Sequence, residues 1–164
     1  MSNAKKEKYL EIVARYERAF WRVCLTYEAR KDLQQELFHE ILLSVWQSVE
    51  GFREESNFNT YVYRVAHNTA IRHVEKQSRE PEYETFDEDT LVEISDPQSL
   101  SQQQQLKRNL AHSIRRLPLM QRQLITMSLD GLSYTEIAEI TGLSETNVGV
   151  TLTRVRKLII SYMR

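Results

Sequence analysis

GLSYTEIAEITGLSETNVGVTLTRVRK, residues 131–157, carries the signals of two short helices joined by a tight turn. Ser133 and Glu136 form an S-x-x-E capping box, in which each side chain satisfies an orphan amide of the first helical turn. Ile137, Ala138 and Ile140 supply an apolar face, and Gly142 supplies the left-handed residue that ends the helix. Ser144 caps a second helix, whose inner face carries Val148, Leu152, Val155 and Ile159 at spacings of three and four. Ala138 and Gly142, with apolar Leu143 and Val148, let the two helices cross closely, as a helix-turn-helix requires. An ordinary helical hairpin accounts for any one of these features. Their agreement favours the helix-turn-helix.

Working outward, the 164 residues include only four Gly and three Pro, and apolar residues recur at helical spacing nearly throughout, so an all-α chain is expected. The one cysteine, Cys24, falls on an apolar helical face and excludes a disulfide framework. Neither a signal sequence nor an apolar run of membrane-spanning length is visible, which excludes membrane insertion and predicts a cytoplasmic protein.

The net charge of −1 conceals a division. Residues 1–79 hold 13 Lys/Arg against 11 Asp/Glu, residues 80–96 hold 8 acids and no base, and residues 97–164 hold 9 bases against 4 acids. Two helical domains are therefore expected, at 1–79 and 99–164, joined by an acidic linker over 80–98. The linker has Pro81, Pro97 and little apolar content, so it cannot bury enough surface to offset its ordering entropy. In the first domain, Tyr9, Ile12, Val13, Tyr16, Phe20, Val23 and Tyr27 mark one helix. Leu33, Leu37, Ile41, Val45 and Val49 mark a second, and Phe58 to Val74 a third. In the second domain, Leu106, Leu110, Ile114 and Leu117 share a face, and Pro118 opens the helix that leads into the helix-turn-helix.

No catalytic constellation is present. His39, His67, His73 and His112 lack metal-type spacing, and there is no phosphate-cradling glycine loop. Neither a metal nor a cofactor is expected, and an enzyme is not. The residues alone fit a dimeric helix-turn-helix regulator of duplex DNA, or a helical adaptor without DNA function. On the second helix of the motif, Thr146, Asn147, Val150 and Thr151 project from the early turns. There Asn can pair bidentately with adenine and Thr can meet a thymine methyl. Ser144 with the first amides can hold a phosphate. Arg154, Arg156 and Lys157 suit phosphates, and also complement the helix macrodipole.

Three longer stretches carry a resemblance. ELFHEILLSVW (36–46), FREESNFNTYVYRVAHNTA (52–70) and LPLMQRQLITMSLDGLSYTEIAEITGLSETNVGV (117–150) resemble patterns of the extracytoplasmic-function sigma factors, specificity subunits of bacterial RNA polymerase. The first two match the domain called region two and the third matches region four, in the family's order. Glu36, His39, Glu54 and Tyr61 replace the usual Asp, Gln, Gly and Trp. Gly149 and Thr151 stand where bases are frequent, thinning the positive charge of the recognition helix.

The resemblance implies a protein that binds core RNA polymerase and promoter DNA, and in some members an anti-sigma factor. It assigns core binding to Glu36, His39, Glu40, Leu43 and Trp46. The minus-ten element falls to Phe52, Arg53, Ser56, Phe58, Tyr61, Arg64, Asn68 and Arg72. Of these, Asn68 offers both a donor and an acceptor to a flipped base. The minus-thirty-five element falls to Ser144, Thr146, Asn147, Val150, Thr151, Arg154, Arg156 and Lys157.

Overall fold

The computed structural model describes residues 3–51, 57–79 and 101–164, and over them the chain is all-helical. Phe52, Arg53, Ser56 and the expected linker at 80–98 lie outside the described residues. Seven α-helices follow one another: α1 (Asn3–Tyr27), α2 (Lys31–Ser48), α3 (Phe58–Arg79), α4 (Gln102–Arg115), α5 (Leu119–Leu129), α6 (Tyr134–Thr141) and α7 (Glu145–Tyr162). A short 3-10 turn, Val49–Gly51, ends α2.

The expected stripes form the core. Ile12, Tyr16, Phe20, Val23 and Tyr27 of α1 are buried against Leu37, Ile41 and Val45 of α2 and Val62, Ala66 and Ala70 of α3. Trp21 stacks on Phe38 with ring centroids 4.0 Å apart. Cys24 is fully buried, which pushes its thiol up to about 12 and keeps it unreactive.

The helix-turn-helix is built as its caps require. Glu136 N–H donates to Ser133 Oγ and Ser133 N–H donates to Glu136 Oε1, each at 3.1 Å. Gly142 ends α6 at φ +79°. Ser144 Oγ accepts from the Asn147 amide at 3.1 Å to start α7. Val148, Leu152 and Val155 are fully buried beneath α7. A second reciprocal box, Ser101 with Gln104, opens α4.

The two units pack directly on each other: α6 lies against α3, and α4 and α5 lie against α1. Polar groups stitch this interface. Arg22 pairs with Asp130, whose side chain is 1% exposed. Asn59 Nδ2 donates to Glu136 Oε2 at 3.3 Å, and Arg64 donates to the Glu139 carbonyl at 2.9 Å. Arg115 donates to the Leu25 carbonyl at 2.7 Å. Arg122 does most. It reaches the Arg115 and Leu117 carbonyls that α4 leaves open at its end, and the Tyr27 carbonyl at the end of α1.

Candidate functional site

On α7 the buried stripe fixes which residues face outward. Thr146, Asn147, Val150, Arg154 and Lys157 are exposed and recur at spacings of three and four, so they share one face; Thr151, half-buried, lies at its edge. Thr151 Oγ1 donates to Asn147 Oδ1 at 3.2 Å, which turns the Asn147 carboxamide in place. Arg156 departs from this set. It lies seven residues after Gly149, on the side toward α5 and α6, and donates to Ser128 Oγ at 3.0 Å and Tyr134 Oη at 3.4 Å. Gly149 also has a packing reason. A Cβ there would stand 3.2 Å from Tyr134 Cε2, so the missing side chain seats the Tyr134 ring.

On α3, Tyr61, Arg64, Asn68 and Arg72 follow at spacings of three, four and four, forming a single stripe that Phe58 leads into. Asn68 and Arg72 are exposed. Tyr61 is half-buried, its hydroxyl donating to the Ser48 carbonyl at 2.8 Å, and Phe58 packs 6.1 Å from the Tyr16 ring. Arg64, held by Glu139, is the point where α6 covers this stripe. One end of the stripe is thus engaged by the other unit and the other end is open.

On α2, Glu36 and His39 are exposed, Leu43 is 56% exposed and Glu40 is half-buried. Trp46 sits at the edge of this face rather than in it. Its ring meets Tyr9 edge-on at 5.2 Å, and Lys5 Nζ stands 4.3 Å over it.

Two of the four histidines are buried, a role that isolated spacing did not single out. His67 Nδ1 and Tyr27 Oη share a hydrogen bond of 2.9 Å, and complete burial lowers the His67 pKa to about 3, so the ring is neutral. His73 hydrogen-bonds Glu40 Oε2 through Nδ1 at 2.9 Å. Its Nε2 stands 3.0 Å from Glu28 Oε1, an ion pair rather than a straight hydrogen bond. The Glu28 contact raises its pKa first, burial opposes it, and Glu40 raises it again. The fold thereby gathers Glu36, Glu40 and His73, whose ligand-type atoms lie within 4.8 Å of one another. With a carboxylate beside each ring nitrogen, the protonated form of His73 is favoured.

Known proteins resemble both halves of the chain. Residues 12–80 match the model of Sigma-70 region 2, and residues 107–159 match that of Sigma-70 region 4. The chain is similar to the ECF RNA polymerase sigma-E factor of Haemophilus influenzae, at 30% identity covering 94% of this chain and 86% of that protein. Similarity to the ECF RNA polymerase sigma-E factor of Escherichia coli K12 is 33%, covering 79% and 72%. Two solved structures share the fold. One is the sigma factor RpoE of Bartonella quintana in complex with the anti-sigma factor NepR, with TM-score 0.69, 15% identity, and 94% of this chain and 96% of that chain covered. The other is CnrH in complex with the cytosolic domain of CnrY, with TM-score 0.67, 15% identity, and 93% and 85% covered. Both halves match in order and the relatives align over most of their length: the chain belongs to the ECF sigma factors of RNA polymerase, and its function is promoter recognition for that enzyme.

Proposed function

We propose that three outward stripes on three helices divide the work of initiation. The face of α2 bearing Glu36, His39, Glu40 and Leu43 docks on core polymerase. There the exposed Leu43 is an apolar anchor and the carboxylates accept from basic groups. The α3 stripe with the preceding 52–59 segment takes the minus-ten strand, with Asn68 reading a base that has left the stack. The exposed face of α7 reads the minus-thirty-five duplex, with Asn147 at base edges and Arg154 and Lys157 on phosphates. Residues 1–79 and 99–164 act as the two domains, and the acidic 80–98 linker occupies a basic channel of the polymerase. An anti-sigma partner fits this reading, since RpoE and CnrH are both seen bound to one or to a cytosolic domain. No bond is made or broken by the chain itself. Among the described residues no helix is long and apolar enough to cross a membrane, in keeping with action in the cytoplasm.

The observation that carries this division is that each stripe, on α3 from Asn68 onward, faces outward while the opposite side of its helix is buried. It also sets a condition. Elements about 25 positions apart on duplex DNA are separated by on the order of 80 Å at 3.4 Å per step. With α6 seated on α3, the two units have to part before both elements can be engaged. The decisive experiment is copurification with core polymerase followed by transcription from a promoter library, using Leu43→Asp as the docking variant. A folded L43D protein that binds core and transcribes like the parent would sink the docking assignment.

A further inference from the structure

His73 joins three helices through charge. Its side chain is 1% exposed; Glu28 reaches it from the end of α1 and Glu40 from the middle of α2. Glu36, one turn before Glu40, adds a third carboxylate from α2. On α3, Arg72 and Lys76 line the same cleft as Glu40, Leu43, Ser44 and Thr69. An ionised carboxylate only accepts, so a ring with one beside each nitrogen is favoured as an imidazolium, its Nδ1–H donated to Glu40 and its Nε2 paired by charge with Glu28. Without that cation, Glu36 and Glu40 are like charges four residues apart on one helix and repel.

We propose that His73 is a positioning residue for polymerase docking: strung between Glu28 and Glu40, the imidazolium fixes the Glu40 carboxylate at the outward face of α2. This rests on the reading of that face as the docking surface. A carboxylate has about four acceptor sites, so His73 leaves most of the capacity of Glu40 for a basic group on the polymerase. Glu28, 12% exposed and just past the end of α1, influences docking only through His73. The sign of the pH effect follows from the proton affinity of the ring, which is raised above its ordinary 6.5 by the two carboxylates. The clamp is complete below 6.5 and is lost as pH rises through the higher folded-state value.

The test measures affinity of the full-length protein for core polymerase from about pH 6 to 9, beside an NMR titration of the His73 imidazole in the free protein. His73→Gln should weaken docking several-fold at the acid end and remove part of the parent's loss of affinity at the alkaline end. That difference should persist in a His39→Gln background, His39 being exposed on the same face. Glu28→Gln should lower the imidazole pKa and weaken docking, and the double variant E28Q/H73Q should dock no worse than H73Q alone. Additive losses, or an unchanged pH profile in H73Q, overturn the proposal. So does a His73 ring that titrates at or below 6.5 in the unmodified protein, a measurement that needs no variant to fold. Should Glu40→Gln weaken docking while H73Q and E28Q do not, the docking surface stands and the positioning role falls. Should E40Q dock like the parent, the reading of the surface itself fails.

Discussion

Arg22 of α1 and Asp130, just past the end of α5, form an ion pair across the two helical units, and the two partners are unequally buried. The Arg22 side chain is 49% exposed and that of Asp130 is 1% exposed. Burial raises the Asp130 pKa, and Arg22, with Tyr63, opposes the rise. Removing the exposed partner strands a buried carboxylate, whereas removing the buried one frees a guanidinium that can turn into water. Arg22→Ala should therefore cost roughly 1–3 kcal/mol or part the units to rehydrate Asp130. Asp130→Ala should cost under about 1 kcal/mol. Urea unfolding, with energy transfer between probes on α3 and α7, checks both. A larger separation in D130A than in R22A would contradict the assignment of the pair as the buried clasp. Parting should also accompany core binding in the unmodified protein.

A second prediction concerns Gly149. Alanine in a helix interior is favoured over glycine by about 1 kcal/mol, but here its Cβ would press on the Tyr134 ring at 3.2 Å. Gly149→Ala should stabilise by less than the full amount, because Tyr134 has to shift. In a Tyr134→Ala background the full gain should return. Thermal melts of the four proteins close the cycle. Equal gains in both backgrounds would mean that the ring does not constrain this position.

How much of this was legible in the sequence depended on the range of the interaction. The caps of α6 and α7, the αL Gly142 and the inner stripe of α7 are local, and each is found where its residues predicted. The Ser101–Gln104 box is equally local, an S-x-x-Q that opens α4. The stripes on α2 and α3 follow from spacing alone. What spacing could not supply is contact between distant segments. Asn59 meets Glu136, Arg22 meets Asp130, and His73 meets Glu28 and Glu40 only because α1, α2, α3, α5 and α6 converge. The position of His73 on the same helical side as Ala66 and Ala70 was a usable sign of burial, but not of its partners. Arg156 shows the complementary limit. Its charge grouped it with Arg154 and Lys157, while the helical angle set it on the side of Gly149.

The buried His67 gives a pH prediction with the opposite sign to His73. Its folded-state pKa is lowered from 6.5 to about 3. Its contribution to stability is thus present above 6.5 and is lost as pH falls from there toward 3, with a slope of up to about 1.4 kcal/mol per pH unit. His67→Gln keeps a hydrogen-bonding partner for Tyr27 Oη without a titrating ring. Stability measured by urea unfolding between about pH 4.5 and 6.5 should therefore be flatter in H67Q than in the parent. Parallel curves would show that His67 is not held neutral in the folded protein.

The last prediction separates the residues proposed to touch DNA by what each can do there. Arg154 and Lys157 share the outward face of α7, so Arg154→Ala or Lys157→Ala should weaken duplex binding on all sequences alike. For every phosphate left without its cation, the salt slope should fall by about 0.9. Arg156 is bonded back to Ser128 and Tyr134; Arg156→Ala should leave that slope nearly unchanged and lower the melting temperature instead. Asn147→Ala should alter which upstream sequence is preferred, since a base-edge amide discriminates by about 1–3 kcal/mol. Asn68 is exposed on α3, beyond the part of the stripe that α6 covers. Its proposed partner exists only after a base leaves the stack, so Asn68→Ala should spare closed-complex binding and reduce promoter opening. Permanganate reactivity of the melted strand on the holoenzyme, salt-dependent binding to duplexes of varied upstream sequence, and thermal melts of the protein together read all four effects. If R156A reduced the salt slope as R154A does, the helical-angle argument for α7 would fail. If N68A opened promoters at the parental rate, the α3 stripe would have to read something other than an extruded base.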